Sequence, residues 1–165
     1  MGLLGGRLLG LDVPQTGKRL LAFVETDGCA ADGVAVATGC TVGHRTLRVI
    51  DYGKVAVTLV DSQTERAFRI VPSPHSRALA SAYAPDARSR WQAQLLAYQI
   101  MPDEELLIAQ PVTLRVSLEA LLSKPGRRVT CETCGEEIIN EREVVHEGTV
   151  LCRACAGDRY YDPLA

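Results

Sequence analysis

Lys54-Val-Ala-Val-Thr-Leu-Val60 alternates along its length and is rich in β-branched residues, which predicts a strand. Ala67-Phe-Arg-Ile-Val71 is a natural partner, and Leu47-Arg-Val-Ile50 is a shorter strand before both. With a turn at Asp51-Tyr52-Gly53, residues 47–71 read as an antiparallel meander. Arg19-Leu-Leu-Ala-Phe-Val24 is apolar enough to be a strand buried on both faces. Val112-Thr-Leu-Arg-Val116 alternates again and can close the sheet.

Helical periodicity fills the gaps between these strands. Residues 2–11 form a small-residue helix, weak alone because of Gly2, Gly5, Gly6 and Gly10, and so expected to pack close to another element. It starts almost at Met1 without a cap, as though an upstream portion were missing. Val34 to Thr38 supplies one or two turns, and Ser76 to Tyr83 a third helix between Pro74 and Pro85. Asp86 to Met101 places Trp91, Leu95 and Tyr98 on one face, which reads as a core stripe. Pro102-Asp-Glu-Glu starts a short helical turn or leads directly into Leu106-Leu-Ile108. Lys124-Pro-Gly-Arg-Arg128 is a linker, Glu143 to Leu151 a hairpin turning near Glu147-Gly148, and Ala156 to Tyr161 a helical turn. The fold class is α+β: a mixed or antiparallel sheet with packed helices over residues 1–126, and a metal module over residues 127–165.

At 165 residues and 47% hydrophobic, the chain can bury one core and carry a small appendage. A formal net charge of −2 argues against broad attraction to nucleic acid or to a membrane surface. No stretch reaches the roughly 20 apolar residues of a membrane span. The apolar start is broken by Arg7, no cleavage site follows it, and Gly6 stands where an acylation signal needs Ser or Thr. The expectation is a soluble, cytoplasmic protein.

The chemistry concentrates near the C-terminus. Cys131 and Cys134 form one CxxC pair, Cys152 and Cys155 another, with seventeen residues between the pairs. This spacing is that of a four-cysteine zinc site: each tight turn points two sulfurs at one ion, and the second pair completes the tetrahedron. Gly135 suits the knuckle after the first pair. Two disulfides, a redox pair or an iron site are the alternatives; disulfides need an oxidising compartment. Four protein sulfurs leave no place for water or substrate, so one structural Zn²⁺ per chain is expected rather than a catalytic ion. His146 lies in the hairpin between acids and is expected at the surface. Acids outnumber bases from Arg127 onward, and four thiolates add more negative charge, so protein contact is favoured over nucleic acid.

Two further cysteines need an account. Asp27-Gly-Cys29-Ala-Ala-Asp32-Gly33 and Thr38-Gly-Cys40-Thr-Val-Gly-His44 flank one short helix. Asp27, Cys29, Cys40 and His44 are therefore candidates for a core pocket holding a second metal or a ligand, and Cys40 is the candidate catalytic group. Packing of free cysteines as small hydrophobes is the competing account. Arg66, Arg69, Arg77, Arg88 and Arg90, with His75 among them, suit a phosphate or carboxylate ligand, or else form a solvated face. Trp91 and Tyr98 can stack on a flat cofactor, although their spacing favours the core.

The chain resembles the FmdE family, whose name comes from one component of formylmethanofuran dehydrogenase. The resemblance rests on Asp27-Gly-Cys29-Ala-Ala-Asp32-Gly33, Thr38-Gly-Cys40-Thr-Val-Gly43, Asp51-Tyr-Gly53-Lys54 and the finger. In the finger it is carried by Cys131-Glu-Thr-Cys-Gly-Glu136, Glu141-Arg-Glu143, Leu151-Cys-Arg-Ala-Cys-Ala-Gly157 and Tyr160-Tyr161. It implies an α+β core with a treble-clef-like zinc ribbon, association as a homodimer, and a metal-binding or catalytic pocket around the core cysteines. The pterin and iron–sulfur chemistry of the molybdenum or tungsten enzyme belongs to its other components. The family opens with a His-Gly-His-x-Cys-Pro-Gly stretch before a helix resembling Gly2 to Leu11, and this sequence has the helix without the stretch. Either the start is set too late or half of that pocket is lacking, which leaves Cys40 without its principal partners and puts catalysis in doubt. The implied function is a metal-binding accessory protein beside a partner protein or metalloenzyme complex. A zinc-finger interaction or regulatory module with an inert core, and a redox enzyme using Cys40, are the alternatives.

Overall fold

The computed structural model describes residues 1–122 and 126–162. The chain divides into two compact units, Met1–Arg115 and Val116–Ala165. The expected linker at Lys124 and Pro125 lies outside the described residues.

The first unit is built on a five-stranded sheet in the order β2-β1-β3-β4-β5. Its strands are β1 (Leu20–Val24), β2 (Leu47–Val49), β3 (Val57–Asp61), β4 (Ala67–Pro72) and β5 (Leu107–Val112). All five residues of β1 are buried, as expected of a strand with neighbours on both sides and cover on its faces. β1 pairs antiparallel with β3, Leu20 opposite Asp61 and Val24 opposite Val57. Asp61 accepts both forks of Arg19, at 2.9 and 3.1 Å, and Arg19 first among its donors holds its carboxyl down at about 2.

The meander expected over residues 47–71 is half right. β3 and β4 do pair antiparallel, Val57 opposite Ile70. β2, however, pairs parallel with β1, Ala22 opposite Leu47. The reason is the helix between them, α2 (Cys29–Thr38), which returns the chain to the same end of the sheet and makes a parallel crossover. The turn at residues 51–54 then passes the end of β1. Tyr52 and Lys54 both donate backbone N–H bonds of 3.0 Å to the Glu25 carbonyl, which sends the chain to the other side of β1.

Helix α1 (Gly2–Leu9) packs on β3, β4 and α2. Its glycines are the contact. A Cβ on Gly5 would lie 2.2 Å from Leu59 Cδ1, and one on Gly2 would lie 2.8 Å from Ala37 Cβ. Leu20, Ala22, Val24, Leu59, Ile70, Val34 and Cys40 form the core under these helices. The remaining helices of this unit are α3 (Ser76–Tyr83), α4 (Arg90–Ala97) and the single turn α5 (Asp103–Leu106).

Two further expectations are corrected. α4 starts at Arg90 because Ser89 Oγ caps it, accepting the Gln92 N–H at 3.1 Å. Its buried face is Ala93 and Ala97, whereas Trp91 is 71% exposed and Leu95 is 48% exposed. Small residues win because α3 and α4 meet closely around Ala80, Ala97 and Met101, leaving the bulky stripe outside. The closing strand is β5 at Leu107–Val112 rather than residues 112–116, because α5 delivers the chain straight into pairing with β4. Pro111 is tolerated there on the last strand of the sheet.

The second unit contains α6 (Leu118–Leu122) and two hairpins, β6 (Arg128–Thr130) with β7 (Glu137–Ile139), and β8 (Val144–His146) with β9 (Thr149–Leu151). The turn of the second hairpin falls at Glu147 and Gly148, both at positive φ, as the sequence predicts.

Gly39, which ends α2 at φ 75°, cannot carry a side chain: a Cβ there would lie 2.2 Å from the Gln15 carbonyl oxygen. Gly39→Ala is expected to lower stability by about 3 kcal/mol or more, from positive φ and backbone overlap together. Gly43→Ala, where nothing lies within 4 Å, is expected to change it by less than about 1 kcal/mol. Thermal unfolding of both variants checks the pair.

Candidate metal centre

The second unit brings four sulfurs to one point. Cys131 and Cys134 leave the end of β6, and Cys152 and Cys155 follow β9. The Gly135 N–H closes the first knuckle on the Cys131 carbonyl at 2.9 Å, and the Ala156 N–H closes the second on the Cys152 carbonyl at 2.9 Å. Gly135 has φ 76°, the left-handed turn that lets the backbone leave the knuckle. Glu132 ties the two halves together: its N–H reaches the Val150 carbonyl at 2.9 Å, and its carboxylate accepts the Val150 N–H at 2.8 Å.

Ligand atoms of Cys131, Cys134, Cys152 and Cys155 all lie within 4.8 Å of one another. Cys134 Sγ and Cys152 Sγ stand 4.0 Å apart. A tetrahedron with zinc–sulfur bonds of about 2.3 Å requires sulfurs about 3.8 Å apart, so the donor set fits zinc in type and in size. The electrostatics ask for a cation. Backbone N–H groups of Cys134 and Cys152 draw the Cys131 thiol down to about 6. The hydrogen bond with the Cys152 sulfur, then burial and the remaining sulfurs, push Cys155 up to about 12. Four thiolates this close cannot all ionise together unless positive charge sits among them. His146 is exposed on β8 and is not among the clustered donors.

The core candidates are not gathered in the same way. Cys29 opens α2 and is exposed, while Cys40 lies just beyond its other end and is buried. Ten residues of helix put about 14 Å between those ends. Asp27 and His44 are both exposed. The Cys40 thiol donates to the Leu20 carbonyl at 3.4 Å within the core, and burial pushes its pKa up. Among the described residues, only the finger cysteines bring three or more His, Cys, Asp or Glu ligand atoms together.

Two of the five grouped arginines are bound internally. Arg66 donates to the Leu8 carbonyl at 3.0 Å and lies over the Phe68 ring. Arg69 holds the buried Glu25 carboxylate by two bonds of 2.6 and 2.7 Å. Arg69 first, with Lys54 adding charge, keeps Glu25 below the ordinary carboxylate range. The Glu25 node is invisible in the sequence, apart from one acid ending an otherwise apolar strand.

Comparison with known proteins agrees with this division. Residues 1–108 match the family described as FmdE, of the molybdenum formylmethanofuran dehydrogenase operon. Residues 125–161 match the prokaryotic dksA/traR C4-type zinc finger. A protein of Archaeoglobus fulgidus, named a probable S-adenosyl-L-methionine-binding protein, is 30% identical over 87% of this chain. The chain spans 42% of that relative's length. The crystal structure of an FmdE-like protein of tungsten formylmethanofuran dehydrogenase, from Syntrophus aciditrophicus, has the same fold. It superimposes with a TM-score of 0.60 at 22% identity, covering 96% of this chain and 79% of that one.

Replacing Cys134 by Ser is expected to remove the zinc, read by elemental analysis, and to open residues 127–162 to protease, since metal binding supplies on the order of 10 kcal/mol to such modules. In the unaltered protein, iodoacetamide is expected to label Cys29 faster than Cys40 by on the order of a hundredfold, because a buried, protonated thiol reacts only on opening. Mass spectrometry of tryptic peptides reads the order. Fast labelling of Cys40 would reinstate it as a reactive group.

Proposed function

The chain belongs to the FmdE family, and we propose that it serves as a zinc-holding accessory protein, its finger docking on a partner protein. That it is a metal-binding, FmdE-like protein follows from the family match and the four clustered cysteines. The single observation behind the docking role is the closed, four-sulfur site: it has no open coordination place, so its product is a shaped surface rather than a reaction. That surface carries exposed apolar groups, with Val145 63% and Tyr160 96% exposed, as a protein contact requires. From Arg127 to Ala165 there are five arginines, no lysine and eight acids, a balance that supports a protein partner over nucleic acid.

The partner we place opposite it is the molybdenum or tungsten oxidoreductase whose operon the family description names. In this reading the chain works as a homodimer in the reducing cytoplasm, where thiolates persist for zinc. The core from residue 1 to 126 is carried to the partner, with residues 127–165 as the docking module. Among the described residues no helix is long and apolar enough to cross a membrane. A second reading, an interaction module with an inert core, is favoured by one observation: the Cys40 thiol is bonded inside the core rather than presented.

Two measurements decide. Elemental analysis of chelator-free protein is expected to give one zinc per chain, unchanged in Cys40→Ala. Two metals falling to one would instead establish a core metal site. Co-expression with the catalytic components of a molybdenum formylmethanofuran dehydrogenase is expected to yield a complex that Cys134→Ser abolishes. A complex that survives loss of zinc would remove the finger from the docking role.

A further inference from the structure

We propose that the core unit carries a binding cleft for a small organic anion, a carboxylate or phosphate on an apolar body, away from both cysteine sites. The cleft has a volume of about 570 Å³ and lies between the Lys54 loop, the end of β4 and the start of α3. That volume is in the usual range for small-molecule sites.

Its charge is one-sided. Lys54, Arg69 and Arg77 line it, and no Asp or Glu does, in a chain whose formal net charge is −2. Glu25 lies behind Arg69, bound by its guanidinium fork, and offsets one of the three cations. Lys54 and Arg77 are exposed, and neither has a carboxylate in salt-bridge reach among the described residues. Surface cations on a solvated face stand apart and point outward. Here two of them converge on one concavity whose field acts on the same small volume.

The rest of the lining suits the remainder of such a ligand. Val55, Val71, Pro72 and Tyr98 offer apolar surface, so a bare inorganic ion would leave most of the cleft unused. Ser73 accepts the His75 N–H at 3.4 Å through its hydroxyl oxygen, which leaves the hydroxyl proton free to donate to an anion. The walls are held in place from below. Lys54 is fixed by its backbone bond to the Glu25 carbonyl, and Ser73 by its N–H bond of 2.8 Å to the Leu106 carbonyl. A site with its polar groups already oriented loses less entropy on binding.

This inference uses no finger residue and stands apart from the docking role. The test is calorimetric titration of the zinc-loaded full chain with phenyl phosphate, benzoate and inorganic phosphate. Saturable binding of phenyl phosphate or benzoate is expected, at least about tenfold tighter than inorganic phosphate, because the ring buries apolar surface. Whichever of the two binds tighter assigns the head group as phosphate or carboxylate. Lys54→Met and Arg77→Met are each expected to weaken binding about tenfold. Both are exposed and should leave thermal unfolding unchanged. Arg88→Met, outside the cleft, is expected to bind as the unaltered protein does. No saturation by either aromatic anion, or affinity that survives in the Lys54→Met/Arg77→Met double variant, would overturn the proposal.

Discussion

How closely the backbone of α1 can approach the sheet decides where the rest of the core unit goes. Side chains at Gly2, Gly5 or Gly6 would each come within 3.0 Å of a neighbour, from Ala37, Leu59 or Val13. Glycine inside a helix costs about 1 kcal/mol relative to alanine, so three such residues cost about 3 kcal/mol. The return is the complete burial of Leu59 and Ile70 under the helix. Each such side chain contributes about 2 kcal/mol when taken out of water, and α1 shares in covering several. The balance therefore favours a sunken helix over a better helix held further out. α2 then packs beside α1 through Ala37, with Val34 turned into the same core.

Close fitting also explains the end of β1. Glu25 is one residue, yet its N–H, its carbonyl and its carboxylate all have partners: Ala56, the pair Tyr52 and Lys54, and Arg69. Asp51 shapes the loop internally, its Oδ1 accepting the Gly53 N–H at 2.9 Å. The Asp51-Tyr-Gly53-Lys54 motif is thus a clasp that turns the chain over a strand end and sets Lys54 at a cleft. A buried charge is tolerated there because Arg69 meets it with two bonds, which satisfies most of what burial removes.

Much of this was legible in the sequence where local physics and tertiary packing agree. Leu20–Val24 is apolar throughout because both faces are covered, and Ser76–Tyr83 is bounded by prolines that stop a helix. The finger was legible because metal geometry acts on spacing alone. What misled was pairing and size. β2 precedes β3 in sequence, but an intervening loop tied to Glu25 separates them in the sheet. The crossover through α2 was the available signal, because a helix between two strands implies parallel pairing. In α4 the apolar stripe of Trp91 and Leu95 outweighs alanine on any hydrophobicity scale. Packing against α3 instead selects the residues that let two backbones come close, Ala93 and Ala97. Neither the Glu25–Arg69 pair nor the cation cleft leaves a periodic trace, since both join residues more than twenty positions apart.

Cysteine shows how environment, rather than residue type, assigns chemistry. Cys40 follows a glycine forced by the Gln15 backbone and ends with its thiol against the Leu20 carbonyl, where burial favours the protonated form. Cys131 is just as buried from solvent, at 1% exposure against 2%, yet it is drawn the other way. The difference is the donors. Backbone N–H groups point at the Cys131 sulfur, the Cys152 N–H at 3.2 Å among them, whereas Cys40 meets a carbonyl that can only accept. A thiolate is what a zinc ion binds, so the knuckle backbone prepares the ligand before the metal arrives. Burial alone would have made all the buried cysteines inert. The turn that places N–H groups at a sulfur is what turns one pair into half of a metal site, and its absence at Cys40 is why the core cysteine packs instead.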